Sequence, residues 1–234
     1  LGTVSRNENG YPIGYFFGYK AIGVFQTQEE IDSYISPATG KPIQPNAAPG
    51  DTKFEDLNGD GVISDDNEDR TMIGKPNPDW MVGLTVAADW NGFDLSAFFQ
   101  GSFGADVFDA LRRYELAAVN YTSDALERWT GPGTSNSMPR IVLGDTPKNF
   151  RPSTLLVHDA SFLRLRNLQV GYTLPAQLTR KAYIQRLRFY ASFDNLLTIT
   201  GYKGMDPEIG STMGIDKGVY PQARVYTFGL NLTF

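Results

Sequence analysis

Arg224-Val225-Tyr226-Thr227-Phe228-Gly229-Leu230-Asn231-Leu232-Thr233-Phe234 closes the sequence on an aromatic residue. Read with period two, Tyr226, Phe228, Leu230, Leu232 and Phe234 share one face of a strand, while Thr227, Gly229, Asn231 and Thr233 share the other. A strand lying on a soluble core alternates in the same way, but the last residues of a soluble chain fray unless something ties them down. A strand inside a membrane barrel is tied on both edges, with its apolar face in lipid and its polar face on a wet lumen. This strand alone fits either setting, so the rest of the chain decides.

Upstream, Asp79 to Phe103 repeats the pattern twice around a tight turn. Trp80, Val82, Leu84, Val86, Ala88 and Trp90 fall on one face, and Asn91-Gly92 supplies the two positive-φ positions of a two-residue hairpin. Phe93, Leu95, Ala97, Phe99 and Gly101 continue the apolar face on the returning strand. At about 3.3 Å per residue and a tilt of about 40°, Trp80 and Trp90 stand roughly 25 Å apart along a membrane normal, the height of the apolar band between the aromatic girdles of a barrel. In Ser161–Leu174 the parity of the leucines changes: Leu163 and Leu165 precede Leu168, Val170, Tyr172 and Leu174 on the opposite parity. A β-bulge near Asn167 would keep both groups on one side and turn Arg164 and Arg166 to the lumen. Pro175 ends that strand. After a connection to about Gln185, Leu187, Phe189, Ala191 and Phe193 form the outer face of the next, opposite Arg188, Tyr190, Ser192 and Asp194.

Composition narrows the function classes. The formal charge of -5 over 234 residues argues against nucleic acid as a partner, because a phosphate-binding face needs clustered Lys and Arg. The absence of cysteine removes disulfides, thiol catalysis and cysteine zinc sites. No apolar run reaches the length of about 20 residues that a transmembrane helix needs, and Leu1-Gly2-Thr3-Val4 does not begin a signal peptide. Aromatics at 13% and 24 glycines suit strands joined by tight turns.

The stretches between strands carry the remaining signals. A strand is predicted over about Ile13–Phe25, then a short helix to Ile35 opened by a Thr27/Glu30 capping box. Asp56-Leu57-Asn58-Gly59-Asp60-Gly61-Val62-Ile63 has the spacing of a calcium loop: oxygen ligands at Asp56, Asn58 and Asp60, a turn glycine at Gly61, the backbone carbonyl of Val62 and an apolar anchor at Ile63. The twelfth position is Asn67 rather than Glu, and Glu68 and Asp69, which follow at once, are the candidate closing carboxylates of a longer loop. A structural Ca2+ with Asp56, Asn58, Asp60, Val62 and Asp69 around it is one reading. An acidic turn satisfied by its own backbone is the other. Helices are expected over Val107–Ala118 and Asp124–Trp129. The lone His158 is expected to be a surface or loop residue rather than a catalytic base.

Several of these phrases together resemble a known family. They are Asn58-Gly59-Asp60-Gly61 with Asp69-Arg70-Thr71-Met72-Ile73-Gly74 and Asn77-Pro78, then Gly92-Phe93-Asp94-Leu95-Ser96 with Phe98-Phe99-Gln100-Gly101. Ser161-Phe162-Leu163-Arg164-Leu165 through Gly171-Tyr172 follows, then Asn195-Leu196-Leu197-Thr198 with Asp206-Pro207-Glu208, and Tyr220-Pro221-Gln222. The whole chain is similar to the C-terminal part of the SusC/RagA-type TonB-dependent outer-membrane transporters. That resemblance implies an all-β fold, here about six strands of a roughly 22-stranded antiparallel transmembrane barrel with long extracellular loops at 26–76, 105–160 and 200–223. It also implies an N-terminal plug and the remaining barrel of the same transporter, TonB as the source of energy and a SusD-like surface lipoprotein. The cargo would be an oligosaccharide or a peptide, and the surroundings outer-membrane lipid. Trp80, Trp90, Tyr226, Phe228, Leu230, Leu232 and Phe234 are the residues expected against lipid.

Two rival functions stand beside it. Asp206 and Glu208 are a carboxylate pair of the kind a secreted glycoside hydrolase uses, although nothing in the sequence holds them at a working separation. A soluble glycan-binding β-sandwich would bury the apolar faces against a second sheet.

Overall fold

The computed structural model describes residues 4–111, 120–209 and 213–234. In chain order its strands are β1 (Ser5–Arg6), β2 (Tyr15–Tyr19), β3 (Ala21–Val24), β4 (Thr52–Phe54), β5 (Arg70–Gly74), β6 (Trp80–Trp90), β7 (Phe93–Phe103), β8 (Asp106–Asp109), β9 (Val157–Asp159), β10 (Phe162–Thr173), β11 (Arg186–Thr200), β12 (Ile215–Asp216) and β13 (Val225–Thr233). Two α-helices, α1 (Gln28–Ser33) and α2 (Ala176–Thr179), complete the regular elements with a few 3₁₀ turns. The chain divides into two compact units. One holds Pro78–Ala105, Asp159–Glu208 and Val219–Phe234, and the other Leu1–Asn77, Asp106–His158 and Ile209–Gly218.

The first unit is a single five-stranded antiparallel sheet in the order β13-β11-β10-β7-β6. β6 and β7 pair from Trp80↔Phe103 to Trp90↔Phe93. The turn between them takes positive φ at Asn91 (48°) and Gly92 (85°), the twist that a two-residue hairpin needs. The predicted bulge is present: both neighbours of β10 shift register between Leu165 and Asn167. Leu163 and Leu165 therefore pair with Gly101 and Phe99, and Leu168, Val170 and Tyr172 with Ala97, Leu95 and Phe93, so all five share the apolar side. On the other flank β11 advances three residues, Asp194 to Leu197, where β10 advances two, and Asn195 absorbs the surplus at φ 53°. β13 then pairs Leu232, Leu230, Phe228 and Tyr226 with Leu187, Phe189, Ala191 and Phe193. The sheet has five long strands rather than six, because the stretch Ile13–Phe25 breaks into β2 and β3, which belong to two different small sheets of the other unit.

The second unit is built from three small sheets, β1-β2-β5, β3-β4 and β12-β8-β9. Val4, Phe16, Phe108 and Leu156 form one buried cluster, and Ala125, Met138 and Phe150 another. A polar core joins segments far apart in sequence. Arg140 Nε donates to Asp51 (2.7 Å), Asn149 Nδ2 donates to the same carboxylate (3.0 Å), and Asn149 Oδ1 accepts from the Thr52 amide (2.8 Å). Such loop-rich structure keeps its buried backbone groups satisfied through fixed side chains of this kind. α1 opens as expected, with Thr27 Oγ1 accepting from the Glu30 amide at 3.3 Å, while the Glu30 carboxylate caps the Gln26 amide at 2.8 Å. The helix expected over Val107–Ala118 begins instead as β8, whose Phe108 is fully buried; its positions from 112 to 118 lie outside the described residues. The helix expected at Asp124–Trp129 is a 3₁₀ turn over Ser123–Glu127.

Candidate functional site

Exposure on the inner strands of the long sheet is inverted relative to a soluble protein. Phe93, Leu95, Phe189, Leu197 and Ile199 are exposed, whereas Arg164, in the middle of the sheet, retains 2% of its surface. The residues expected against lipid behave alike: Trp80 and Trp90 at the two ends of β6 are each 73% exposed, Phe228 75% and Phe234 74%, with Tyr226, Leu230 and Leu232 exposed as well. Large apolar residues also stand on the polar side: Phe98, which pairs with Thr85 and covers Gly83, and Met81 and Phe162, which both pair with Ser102.

The polar side is held by ion pairs. The bulge sends Arg166 to the same side as Arg164, and the chain after β11 brings two carboxylates to meet them. Arg164 donates from Nη2 to Asp206 (2.6 Å), from Nη1 to Glu208 (3.0 Å) and from Nε to Thr198 (2.9 Å). Arg166 reaches the other oxygen of Glu208 and donates to Gln100 at 2.6 Å. Asp206 also accepts the amides of Glu208 (2.9 Å) and Gln222 (3.0 Å), so it folds its own loop around itself. Burial works against the Asp206 carboxylate, but those two amides and the Arg164 guanidinium outweigh it and hold its pKa below the usual aspartate value. Further along the sheet, Arg188 forms a fork with Asp94, Nε at 2.9 Å. Gly171 lies beneath that fork, where a Cβ would come within 2.5 Å of both partners, so only glycine leaves room for the pair. Asn167 ties Asp194 (2.7 Å) and Ser192 (3.1 Å) across the neighbouring strand.

Glu208 is engaged by two arginines and Asp206 by Arg164 and two backbone amides, so neither is a free general acid or base, and both act as ties for a loop. That role was not legible in the sequence. Arg164 and Asp206 are 42 residues apart, and only the placement of the loop beside the bulge brings them together.

The acidic loop lies in the other unit. Asp56 accepts the amides of Gly59 (2.8 Å) and Gly61 (2.9 Å), Asn58 Oδ1 accepts the Asp60 amide (3.0 Å), and Asp60 accepts the Val62 amide (2.8 Å). Asp69 is fully buried and accepts the amides of Leu57 (3.2 Å) and Ser64 (2.9 Å), which closes the loop by hydrogen bonds. The Asn58 amide group donates to both Asp60 and Glu68 at 3.0 Å. Among the described residues no three acidic or histidine side chains gather at metal-holding spacing. Gly61, Val62 and Ile63 also line a cleft of about 680 Å³ with Lys41, Lys148 and Arg151.

Against known proteins, the chain is 34% identical over 238 residues to TonB-dependent receptor P3 of Formosa agariphila, matching 97% of this chain and 23% of that receptor. It is 30% identical to TonB-dependent receptor SusC of Bacteroides thetaiotaomicron, over 99% of this chain and 21% of SusC. The fold superposes on the RagAB peptide transporter with a TM-score of 0.74 and 28% identity, over all of this chain and 24% of that one. The chain belongs to the SusC/RagA family of TonB-dependent receptors. No family model matches it. As a SusC/RagA chain it has the all-β architecture of the C-terminal part of an outer-membrane barrel, and it spans about a quarter of the length of these relatives. No described helix is long and apolar enough to cross a membrane, and a barrel of this family crosses with strands.

Proposed function

We propose that this chain supplies part of the wall and the outer loops of a TonB-dependent active transporter. That transporter imports oligosaccharides or peptides across the outer membrane together with a SusD-like surface lipoprotein. The observation that carries the reading is the inverted sheet, with exposed tryptophans at both ends of β6 and a buried arginine network opposite, in a chain related to SusC and to a peptide transporter. In this reading β6, β7, β10, β11 and β13 contact outer-membrane lipid. Loops 26–76, 105–160 and 200–223 face the exterior, where cargo and lipoprotein are met. The remaining barrel, the plug and the TonB contact come from other parts of the transporter.

The test is uptake by cells with and without the intact receptor, offered labelled oligosaccharides and labelled peptides in parallel, with co-purification of a surface lipoprotein as a second readout. Loss of uptake of one class on deletion supports the reading. Unchanged uptake of both classes, with no lipoprotein recovered, overturns it.

We also propose a structural calcium at the acidic loop, supported by the spacing of Asp56, Asn58 and Asp60 with the Val62 carbonyl. The Asn58 amide must turn so that its oxygen, rather than its NH₂, meets the ion. Asp69 supports the loop from below through its two amide bonds. Protection of the loop from protease by calcium, abolished by chelator, is the expected result; identical cleavage under both conditions rejects the ion.

A further inference from the structure

One rim of the long sheet carries cations and aromatic rings that the fold itself does not use. The connection between β10 and β11, residues 174–185, contains Arg180 and Lys181 and no acidic residue, in a chain of formal charge -5. Among the described residues neither of the two enters an ion pair, whereas Arg164, Arg166 and Arg188 are all paired. Leu178 and Tyr183 of the same connection are 65% and 89% exposed. The Thr173 amide donates to Gly92 (2.7 Å) and the Gln185 amide to Thr233 (2.8 Å), so the hairpin turn, this connection and the last strand lie along one edge. Trp90 and Phe234 therefore stand on that edge with Tyr183.

Tyr183 is the informative residue. It adopts φ 56°, a region that bulky residues rarely occupy, and its ring gains no burial in return. An exposed ring flanked by unpaired cations is the composition of an interfacial anchor, in which the aromatic body sits at headgroup depth and the cations reach phosphate. We propose that this rim docks on anionic phospholipid headgroups, with Arg180 and Lys181 taking the phosphates and Tyr183 and Leu178 entering the boundary between headgroups and acyl chains. Charge complementarity and continuity with the apolar face, which reaches the rim through Phe93, Tyr172 and Leu187, favour lipid over a protein partner. The inference rests on the membrane-barrel reading above.

The experiment uses the intact receptor in nanodiscs of phosphatidylcholine, with and without phosphatidylglycerol. Retained lipid is counted by native mass spectrometry, and melting is followed in detergent. The wild type is expected to retain phosphatidylglycerol in preference to phosphatidylcholine, and Arg180→Gln with Lys181→Gln to weaken that binding about fivefold per cation removed. Tyr183→Gly relieves the positive φ, so it should melt no lower in detergent and still lose phosphatidylglycerol. Retention equal to the wild type in both variants overturns the proposal, as does a photo-crosslinker at position 183 that captures another segment of the receptor and no lipid. A receptor that fails to enter any bilayer defeats the barrel reading and this inference together. Normal insertion without lipid preference defeats this inference alone.

Discussion

Arg164 and Asp206 form a buried ion pair, Nη2 to Oδ1 at 2.6 Å with 2% and 8% of their side chains exposed, and it fastens the loop after β11 to the wall of the sheet. Removing one partner of such a pair leaves the other charged and desolvated, at a cost of about 3–5 kcal/mol. Arg164→Met in the intact receptor should therefore lower the melting temperature and open residues 201–208 to protease. Adding Asp206→Asn should return part of the loss, because the stranded charge is then gone. A double variant no more stable than Arg164→Met would show that the pair is not what holds the loop.

The same pair sets a pH dependence. The folded-state pKa of Asp206 is depressed, so its contribution is complete above the ordinary aspartate value of about 3.9 and is lost as pH falls through the lower folded value. Cleavage of the 201–208 loop by an acid-active protease is expected to rise in that acidic window in the wild type. Asp206→Asn should show the cleaved behaviour at every pH, and a flat profile in the wild type would contradict the assignment.

What the sequence revealed and what it hid follow from periodicity. The bulge in β10 was legible because Leu165 and Leu168 sit on opposite parities, and only an extra residue puts both on one face. Its counterpart in β11 was not, since Leu196 and Leu197 are adjacent and apolar and mask the change of parity that Asn195 absorbs. Trp80 to Trp90 and Asn91-Gly92 were legible because every signal there is local. β8 was misread as helix because Val107, Leu111 and the residues beyond suit a helical stripe, while a parallel pairing with β12 more than 100 residues away makes Asp106–Asp109 a strand. The Arg164 and Arg166 network was half legible: parity gave the face, but no local rule names Asp206 and Glu208 as partners.

Parity also separates neighbouring positions on one strand. Leu84 lies on the apolar side and is 54% exposed, while Thr85 lies on the polar side opposite Phe98. An arginine at the midplane of the lipid face costs about 2–4 kcal/mol, and a lumen position tolerates charge. Leu84→Arg should reduce the receptor recovered from the outer membrane, and Thr85→Arg should leave it at the wild-type level. Equal recovery of both would mean that the two faces do not see different solvents.

The hairpin turn admits a similar contrast. At Gly92 φ is 85°, and a Cβ would meet the Thr173 carbonyl oxygen at 2.7 Å, so Gly92→Ala meets both backbone strain and a clash with main chain that cannot yield cheaply. Asn91, at φ 48°, has no such constraint on glycine. Gly92→Ala is expected to slow assembly and lower melting by several degrees, whereas Asn91→Gly should be nearly silent in both measurements.

In the acidic loop, Asp69 and Asp60 play different parts and separate two explanations of the same motif. Asp69 is fully buried, and its two oxygens accept the Leu57 and Ser64 amides, so Asp69→Ala strands two donors at about 1–3 kcal/mol each. That loss does not depend on an ion: limited proteolysis should cut within 56–69 whether calcium or chelator is present. Asp60 is exposed, and its carboxylate holds the Val62 amide and the Asn58 side chain. Asp60→Ala therefore costs little in chelator. If calcium occupies the loop, the variant loses the protection that the ion gives the wild type; if hydrogen bonds alone close it, wild type and variant are cut alike in calcium and in chelator.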